Sequence, residues 1–304
     1  MEKLMKNFFL FLSKNKTLTK AARKYGLRFG ASKFVPGETI EQAVKVIKEL
    51  NSQGMSVTTD YLGEFVSDEK VADKRVELSI KMIEAIAREK LDAQYSLKMT
   101  SMGMDISDEV VMRNMRKILE AGKKHNVLVT IDMEDSGRCQ KTLDIFKELK
   151  SEYDNLSTVV QTYLYRTEAD VDDLNKYKPN LRIVKGAYKE PVEVAFPNKK
   201  DVDDNFKKIV KKHMLNGNFT AVASHDMEMI NYTKQIAKEY KIPKDQYEFQ
   251  MLYGICTELH HQLVKEGYNM RVYLAFGTDW FGYYMRRLAE RPANVAFVLK
   301  GMFK

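Results

Sequence analysis

The sequence predicts an α/β protein, built as a single closed (β/α)8 barrel. Eight short apolar or alternating runs recur along the chain, and each is followed by a helical pattern. Eight such units fit one barrel within 304 residues. Neither the dinucleotide fingerprint G-x-G-x-x-G nor a phosphate loop ending in Gly-Lys-Ser/Thr occurs, which weakens the alternative of a doubly wound sheet.

The runs begin at Met55 (MSVTTDYLG), Gln94 (QYSLKM), Val127 (VLVTID), Ser157 (STVVQTYL), Leu181 (LRIVKGAY), Phe219 (FTAVASH), Tyr247 (YEFQML) and Arg271 (RVYLAF). Their β-branched and aromatic content, and their shortness, favour strand over helix. Residues 1–53 read as an N-terminal helical extension, clearest from Glu38 to Asn51, and 54–304 as the barrel domain. Asp68 to Glu89 carries Val71, Leu78, Met82, Ile83 and Ile86 at helical spacing. Ser107 can cap the next helix, with Asp108 and Glu109 complementing its dipole. The sequence T-E-A-D from Thr167 resembles a capping box opening a brief helix. Gly122 and Gly267 fall near helix ends, where a left-handed residue is useful. A last helix is expected from Trp280 to Glu290.

Composition narrows the classes. Hydrophobic residues are 44% and charged residues 30%, so the chain is neither disordered nor fibrous. The formal charge is +8, yet Lys and Arg alternate with Asp and Glu along most helices. That reads as solvated helix surface, and no basic run carries the interleaved aromatics of a single-strand-binding face. Two distant cysteines, Cys139 and Cys256, make no disulfide framework or zinc pattern and suit a reducing compartment. The apolar run from Phe8 to Leu12 is too short to span a bilayer. The chain therefore reads as cytoplasmic, with an amphipathic N-terminal segment able to touch a membrane surface.

Barrel chemistry gathers at the carboxyl ends of the strands. Glu64, Lys98, Asp132, Gln161, Arg182, Lys185, His225 and Tyr273 fall late in or just after the predicted strands. A charge inside a buried strand costs several kcal/mol unless it is paired or ligand-bound. Lys98, Arg182 and Lys185 are thus candidate site residues, or else part of a structural ion-pair layer. His260 and His261 are adjacent and would face apart, so no metal site is expected. Arg286, Arg287 and Glu290 share neighbouring faces of the last helix with Tyr283. Two guanidinium groups there could grip a carboxylate, or could form an ordinary exposed Arg–Glu pair. Two other functional classes remain open on the residues alone: a basic binder of RNA or anionic lipid, and a barrel aldolase with Lys98 or Lys185 as imine-forming lysine.

The ordered motifs narrow these options. YLGE (Tyr61 to Glu64), YSLKMT (Tyr95 to Thr100), IDME (Ile131 to Glu134), QTYLYR (Gln161 to Arg166) and RIVKGAY (Arg182 to Tyr188) come first. They are followed by ASH (Ala223 to His225), YEFQMLYG (Tyr247 to Gly254) and YYMRRLAERPANV (Tyr283 to Val295). Over roughly residues 40 to 300 the chain resembles the proline dehydrogenase family of flavoenzymes, in its short monofunctional bacterial form. The resemblance implies a distorted (β/α)8 barrel, with the last helix over its mouth and FAD bound non-covalently. It implies oxidation of L-proline to Δ1-pyrroline-5-carboxylate by hydride transfer to flavin N5, the first step of proline catabolism to glutamate. Electrons would pass to a membrane quinone through peripheral contact with the bilayer, no nucleic acid would bind, and a separate pyrroline-5-carboxylate dehydrogenase would take the product.

By the same resemblance, Arg286, Arg287 and Lys98 would hold the substrate carboxylate, with Glu290 steadying an arginine. Tyr273 and Tyr283 would wall the proline ring, with Tyr188 nearby. Asp132 would orient Lys98 or Tyr273, and Glu64 would pair with Arg286 as a gate. Arg182 would lie near flavin N5 and Gln161 at the pyrimidine edge. Val184, Lys185, Gly186 and Ala187 would line the cofactor path, and His225 its far end unless it is a core histidine. Many relatives carry Trp directly after the GAY triplet, where this sequence has Lys189, Glu190 and Pro191, so adenine stacking there is not expected.

Overall fold

The computed structural model describes residues 33–290, with side chains through residue 285. The first 32 residues, including the run from Phe8 to Leu12, and the side chains of Arg286, Arg287 and Glu290 lie outside the described residues, as does the motif's end at residues 291–295.

Every expected strand forms. They are β1 (Ser56–Tyr61), β2 (Ala93–Lys98), β3 (Val129–Asp132), β4 (Leu156–Gln161), β5 (Leu181–Val184), β6 (Thr220–Ala223), β7 (Tyr247–Leu252) and β8 (Met270–Phe276). Each pairs in parallel with the next, and β8 closes on β1, giving a barrel in sequence order. Closure removes every sheet edge. The helices between strands cover the outside: α1 (Ile40–Ser52) precedes β1, α2 (Glu69–Arg88) follows it, and α3 (Asp108–His125) and α4 (Ser136–Glu152) come next. A last helix, α9 (Trp280–Glu290), follows β8, after α5 (Thr167–Leu174), α6 (Lys199–Leu215), α7 (Met227–Glu239) and α8 (Thr257–Lys265).

The cap expected at Ser107 forms, and two further caps join it. Thr39 and Gln42 form a capping box at α1, Asp68 caps α2 by accepting from Lys70 N–H, and Ser107 caps α3 by accepting from Val110 N–H. Each such cap is worth about 1 kcal/mol. Two expectations fail. Thr167 is the first residue of α5 and not its cap; its hydroxyl donates to Gln161 O at 2.5 Å, so tertiary contact takes the group the cap needed. Gly122 lies inside α3, where a Cβ would fall 2.9 Å from Val127 O. It is there for close approach, and the left-handed residue closing α3 is Asn126, at φ 53°. Gly267, at φ 74°, does fill the expected role.

The alternation within each strand sorts the side chains. Outward positions such as Val57, Leu97, Ile131, Ile183, Val222, Phe249 and Leu274 are fully buried against the helices. That interface is the main core. Inward positions are strongly polar: Thr58, Asp60, Ser96, Asp132, Arg182, Glu248, Gln250 and Arg271 are all buried. Low in the barrel, Arg271 Nε donates to both oxygens of Glu248, at 2.8 and 3.0 Å, and its Nη1 donates to Val57 O at 2.9 Å. This buried ion pair, at residues the sequence did not single out, lies beneath a second cluster that contains Lys98 and Arg182.

Arg271→Met should therefore destabilise the fold by about 3–5 kcal/mol, because it strands the buried Glu248 carboxylate. Urea unfolding should show a lower midpoint at unchanged slope. Adding Glu248→Met should restore part of the loss.

Candidate active site

Sequence distance vanishes at the mouth. Lys98 ends β2 and Asp132 ends β3, and the parallel register sets them side by side. Lys98 Nζ donates to Asp132 Oδ2 at 3.2 Å and to Asp60 Oδ2 at 2.9 Å. The Tyr273 hydroxyl, from β8, lies 2.7 Å from Asp132 Oδ2 and 2.9 Å from Asp60 Oδ2. From β5, Arg182 Nη1 donates to Asp132 Oδ1 at 2.6 Å and Nε to Gln250 Oε1 at 2.6 Å. Its guanidinium also stands 5.2 Å from the Tyr273 ring centre. Ser96 donates to Asp132 Oδ1 at 2.8 Å. Six strands thus meet on two carboxylates and two cations.

These groups shift one another. Burial raises Asp132, but Lys98 and Arg182 outweigh it and hold Asp132 below its usual range. Burial and the neighbouring Asp132 hold Asp60 above its usual range, against the pull of Lys98. Burial would lower Lys98, but Asp60, Tyr273 and Asp132 together raise it well above its ordinary value. Burial, Asp132 and Asp60 raise the Tyr273 phenol well above its own. A phenol carries one proton, so Tyr273 can donate to only one of its two carboxylate neighbours. A lysine kept so firmly protonated is a poor imine-forming nucleophile, which removes the main support for aldolase chemistry at Lys98.

Further round the mouth, Gln161 ends β4 opposite Val184 on β5, and its Nε2 donates to Glu134 O at 2.8 Å. Lys185 pairs with Asp203 and, at 2.8 Å, with Asp226. Gly186 adopts φ 120°, and a Cβ there would strike the Tyr163 ring at 2.4 Å, so glycine is required. Ala187 is exposed and Tyr188 half-buried. His225 Nε2 accepts from Leu252 N–H at 3.0 Å. Tyr283 is buried in a second apolar cluster with Phe34, Leu62 and Trp280, and Tyr273 packs against that cluster. Glu64 is half-buried on the loop after β1. In the departure from the family pattern, Lys189 is exposed, while Glu190 accepts from Ser136 N–H at 2.8 Å and Oγ at 2.5 Å. Glu190 thereby caps α4, whose own N-cap Asp135 supplies no side-chain bond.

Sequence reasoning missed several members. Asp60 interrupts SVTTDY much as Lys98 interrupts YSLKMT, so the same desolvation argument would have found it. Gln250 likewise interrupts YEFQML. Glu134 was quoted only within a motif, although it is buried and fixed by Thr100 through N–H (3.1 Å) and Oγ1 (2.6 Å). Thr58 and Ser96 gave no signal, since small hydroxyls are ordinary in strands. Among the described residues no cluster of His, Cys, Asp or Glu could hold a metal ion. His260 is buried and His261 exposed, facing apart as their adjacency implied.

Residues 43–300 match the proline dehydrogenase family. The chain belongs to the proline dehydrogenase family. It is similar to proline dehydrogenase 2 of Bacillus subtilis (strain 168), with 56% identity over 301 residues covering 99% of both chains. It is 40% identical over 279 residues to the proline dehydrogenase of Deinococcus radiodurans, covering 90% of each. Among solved structures it resembles proline utilization A from Bdellovibrio bacteriovorus inactivated by N-propargylglycine, with a TM-score of 0.80 and 28% identity. That likeness covers 86% of this chain and 32% of the longer protein. The activity is proline dehydrogenation, the first step of proline catabolism. On the outer surface Lys208 and Lys212 pair with Glu168.

Glu134 should make the stability of this mouth sensitive to pH. Burial lifts its carboxyl from 4.5 to about 7, against the hydroxyl and N–H of Thr100. A raised folded value means that its stabilising contribution is complete below pH 4.5 and is lost as pH rises through about 7. In denaturant unfolding, the stability advantage of wild type over Glu134→Gln should shrink across that window by on the order of 1–3 kcal/mol. An advantage constant with pH would contradict this assignment.

Proposed function

We propose that the chain oxidises L-proline to Δ1-pyrroline-5-carboxylate using non-covalently bound FAD, with electrons passing onward to a membrane quinone. When bound, the flavin supplies the acceptor, at N5, for the hydride leaving the proline carbon next to nitrogen. The single observation that carries this reading is the cluster that Lys98 and Asp132, at the carboxyl ends of β2 and β3, form with the inward-facing Arg182 and Tyr273 of β5 and β8.

The donor set suits a flavin. A ring system that becomes anionic on reduction needs fixed cationic and amide donors nearby. Arg182 and Gln161 supply them from adjacent strands, with Arg182 toward N5 and Gln161 toward the pyrimidine edge. Val184, Lys185, Gly186 and Ala187 would follow the phosphates and ribose, and His225 the cofactor's far end. Glu190 is committed to α4, so the loop after Tyr188 offers Lys189 where many relatives stack Trp.

The chain's own residues bind and orient the substrate. Arg286, Arg287 and Lys98 would hold the proline carboxylate, offsetting its desolvation in a closed site. Glu290 would steady the arginines, and Glu64 would pair with Arg286 as a gate. Tyr273, Tyr283 and Tyr188 would wall the ring. Asp132 would hold Lys98 and Tyr273 in position and would not act as an obligatory base. Consistent with such a site, N-propargylglycine, which inactivates the Bdellovibrio protein, carries a secondary amine beside a carboxylate as proline does. Residues 1–53 would form an extension ahead of the barrel domain at 54–304. No helix among the described residues is long and apolar enough to cross a membrane, so quinone access would be peripheral. The imine product would pass to a separate dehydrogenase.

The purified protein should be yellow, or become so with FAD, and should bleach when L-proline is added without oxygen. A colourless protein that cannot be reconstituted would overturn the reading. Arg287→Lys keeps the charge but loses the fork, so it should raise the proline KM by about tenfold or more while leaving FAD content unchanged. Unchanged proline kinetics would reject the carboxylate assignment.

A further inference from the structure

Arg75 lies on α2, outside every group discussed so far, yet it reaches the segments leaving both β1 and β8, at the carboxyl end of their shared seam. Its Nη1 donates to Leu62 O at 2.7 Å, just past the end of β1. Its Nη2 donates to Asp279 Oδ2 at 2.8 Å, one residue before α9 begins. The guanidinium also stands 4.7 Å from the Tyr61 ring centre. Gly63, at φ 153°, lies so close that a Cβ would fall 2.5 Å from Nη2. The seam itself is closed by Leu62 N–H on Phe276 O at 2.8 Å and by the edge-on Tyr61 and Phe276 rings.

Both bridged segments carry site residues. The loop leaving β1 contains Glu64, and α9 contains Arg286 and Arg287. Only a planar fork can serve a backbone carbonyl, a carboxylate and a ring face together. At the same time a second tie holds the start of α9: Gly277 N–H donates to Gly37 O at 3.0 Å, and Trp280 Nε1 to Glu38 Oε1 at 2.9 Å. That tie runs to the segment before α1 and does not touch the β1 loop. Arg75 alone, among these contacts, spans both.

We propose that Arg75 is a positioning residue that couples the Glu64 loop to the start of α9, and through it sets the affinity for the proline carboxylate. The affinity clause rests on the reading that Arg286 and Arg287 hold that carboxylate. The test uses the flavin-loaded full chain as Arg75→Met, Arg75→Lys and Asp279→Asn. Asp279→Asn weakens only the α9 arm, by removing its charge, and guards against misfolding. Hydrogen exchange should show residues 62–66 and 280–285 losing protection together in Arg75→Met, with β3 to β6 unchanged. The proline KM should rise about tenfold (about 1.4 kcal/mol) with kcat within about twofold. Arg75→Lys should fail to rescue the coupling, and Asp279→Asn should loosen only the α9 side. Exchange confined to α2, or to one of the two segments in Arg75→Met, would overturn the coupling whatever the arginine pair does. Coupled exchange with an unchanged KM would overturn the affinity clause. Failure of the arginine-pair reading shows separately, in the kinetics of Arg287→Lys.

Discussion

The ion-paired cluster of Asp132 with Lys98 and Arg182 governs the barrel mouth. Placing two cations inside a closed ring of strands would be prohibitive without fixed anions. Asp132 meets both, one oxygen toward each, and Ser96 and Tyr273 satisfy what remains. Asp60 completes the set from β1. Because the members come from β1, β2, β3, β5 and β8, the cluster fixes strand ends relative to one another. Loss of any one charge leaves another buried without compensation. The site and the barrel are therefore built by the same contacts, and the hydrophobic core outside the barrel serves to hold the strands in that register.

Two layers of charge divide the interior by purpose. The lower pair, Arg271 with Glu248, is closed on itself and on the Val57 carbonyl. The upper cluster opens toward the mouth, where Lys98 is only half-buried. Asp132 is held below and Asp60 above the usual carboxylate range, so the two differ in how readily each takes a proton. That arrangement suits a site that admits a charged amino acid and must adjust to it. Its rim is held by longer ties: Glu134 through Thr100 to the Glu64 loop, where Phe65 N–H donates to Thr100 Oγ1 at 3.1 Å, and Arg75 across to α9.

Much of this was legible in the residues. The strands stood out because β-branched and aromatic runs of barrel length leave little room for another fold. Lys98 and Arg182 stood out because charge is costly in such runs. Asp60 is as costly inside SVTTDY as Lys98 is inside YSLKMT, and the same argument reaches it. Thr167 and Gly122 were misread because a local pattern was trusted where a tertiary contact decides: a carbonyl takes the threonine hydroxyl, and a crowded backbone demands the glycine. Arg75 could not be found at all. Its partner Asp279 lies 204 residues away, and one arginine on a charged helix face looks like any other until the chain is folded. The resemblance to a flavoenzyme family supplied what spacing could not, namely the chemistry assigned to each strand end.

Asp60 and Asp132 share both Lys98 and Tyr273, and so should work as one unit. A double-mutant cycle of Asp60→Asn and Asp132→Asn, read as the rate of anaerobic flavin reduction by L-proline, tests it most directly. The account predicts strong non-additivity, with the double variant little slower than the slower single and a coupling of about 1 kcal/mol or more. Additive losses would show that the two residues act independently and would contradict it.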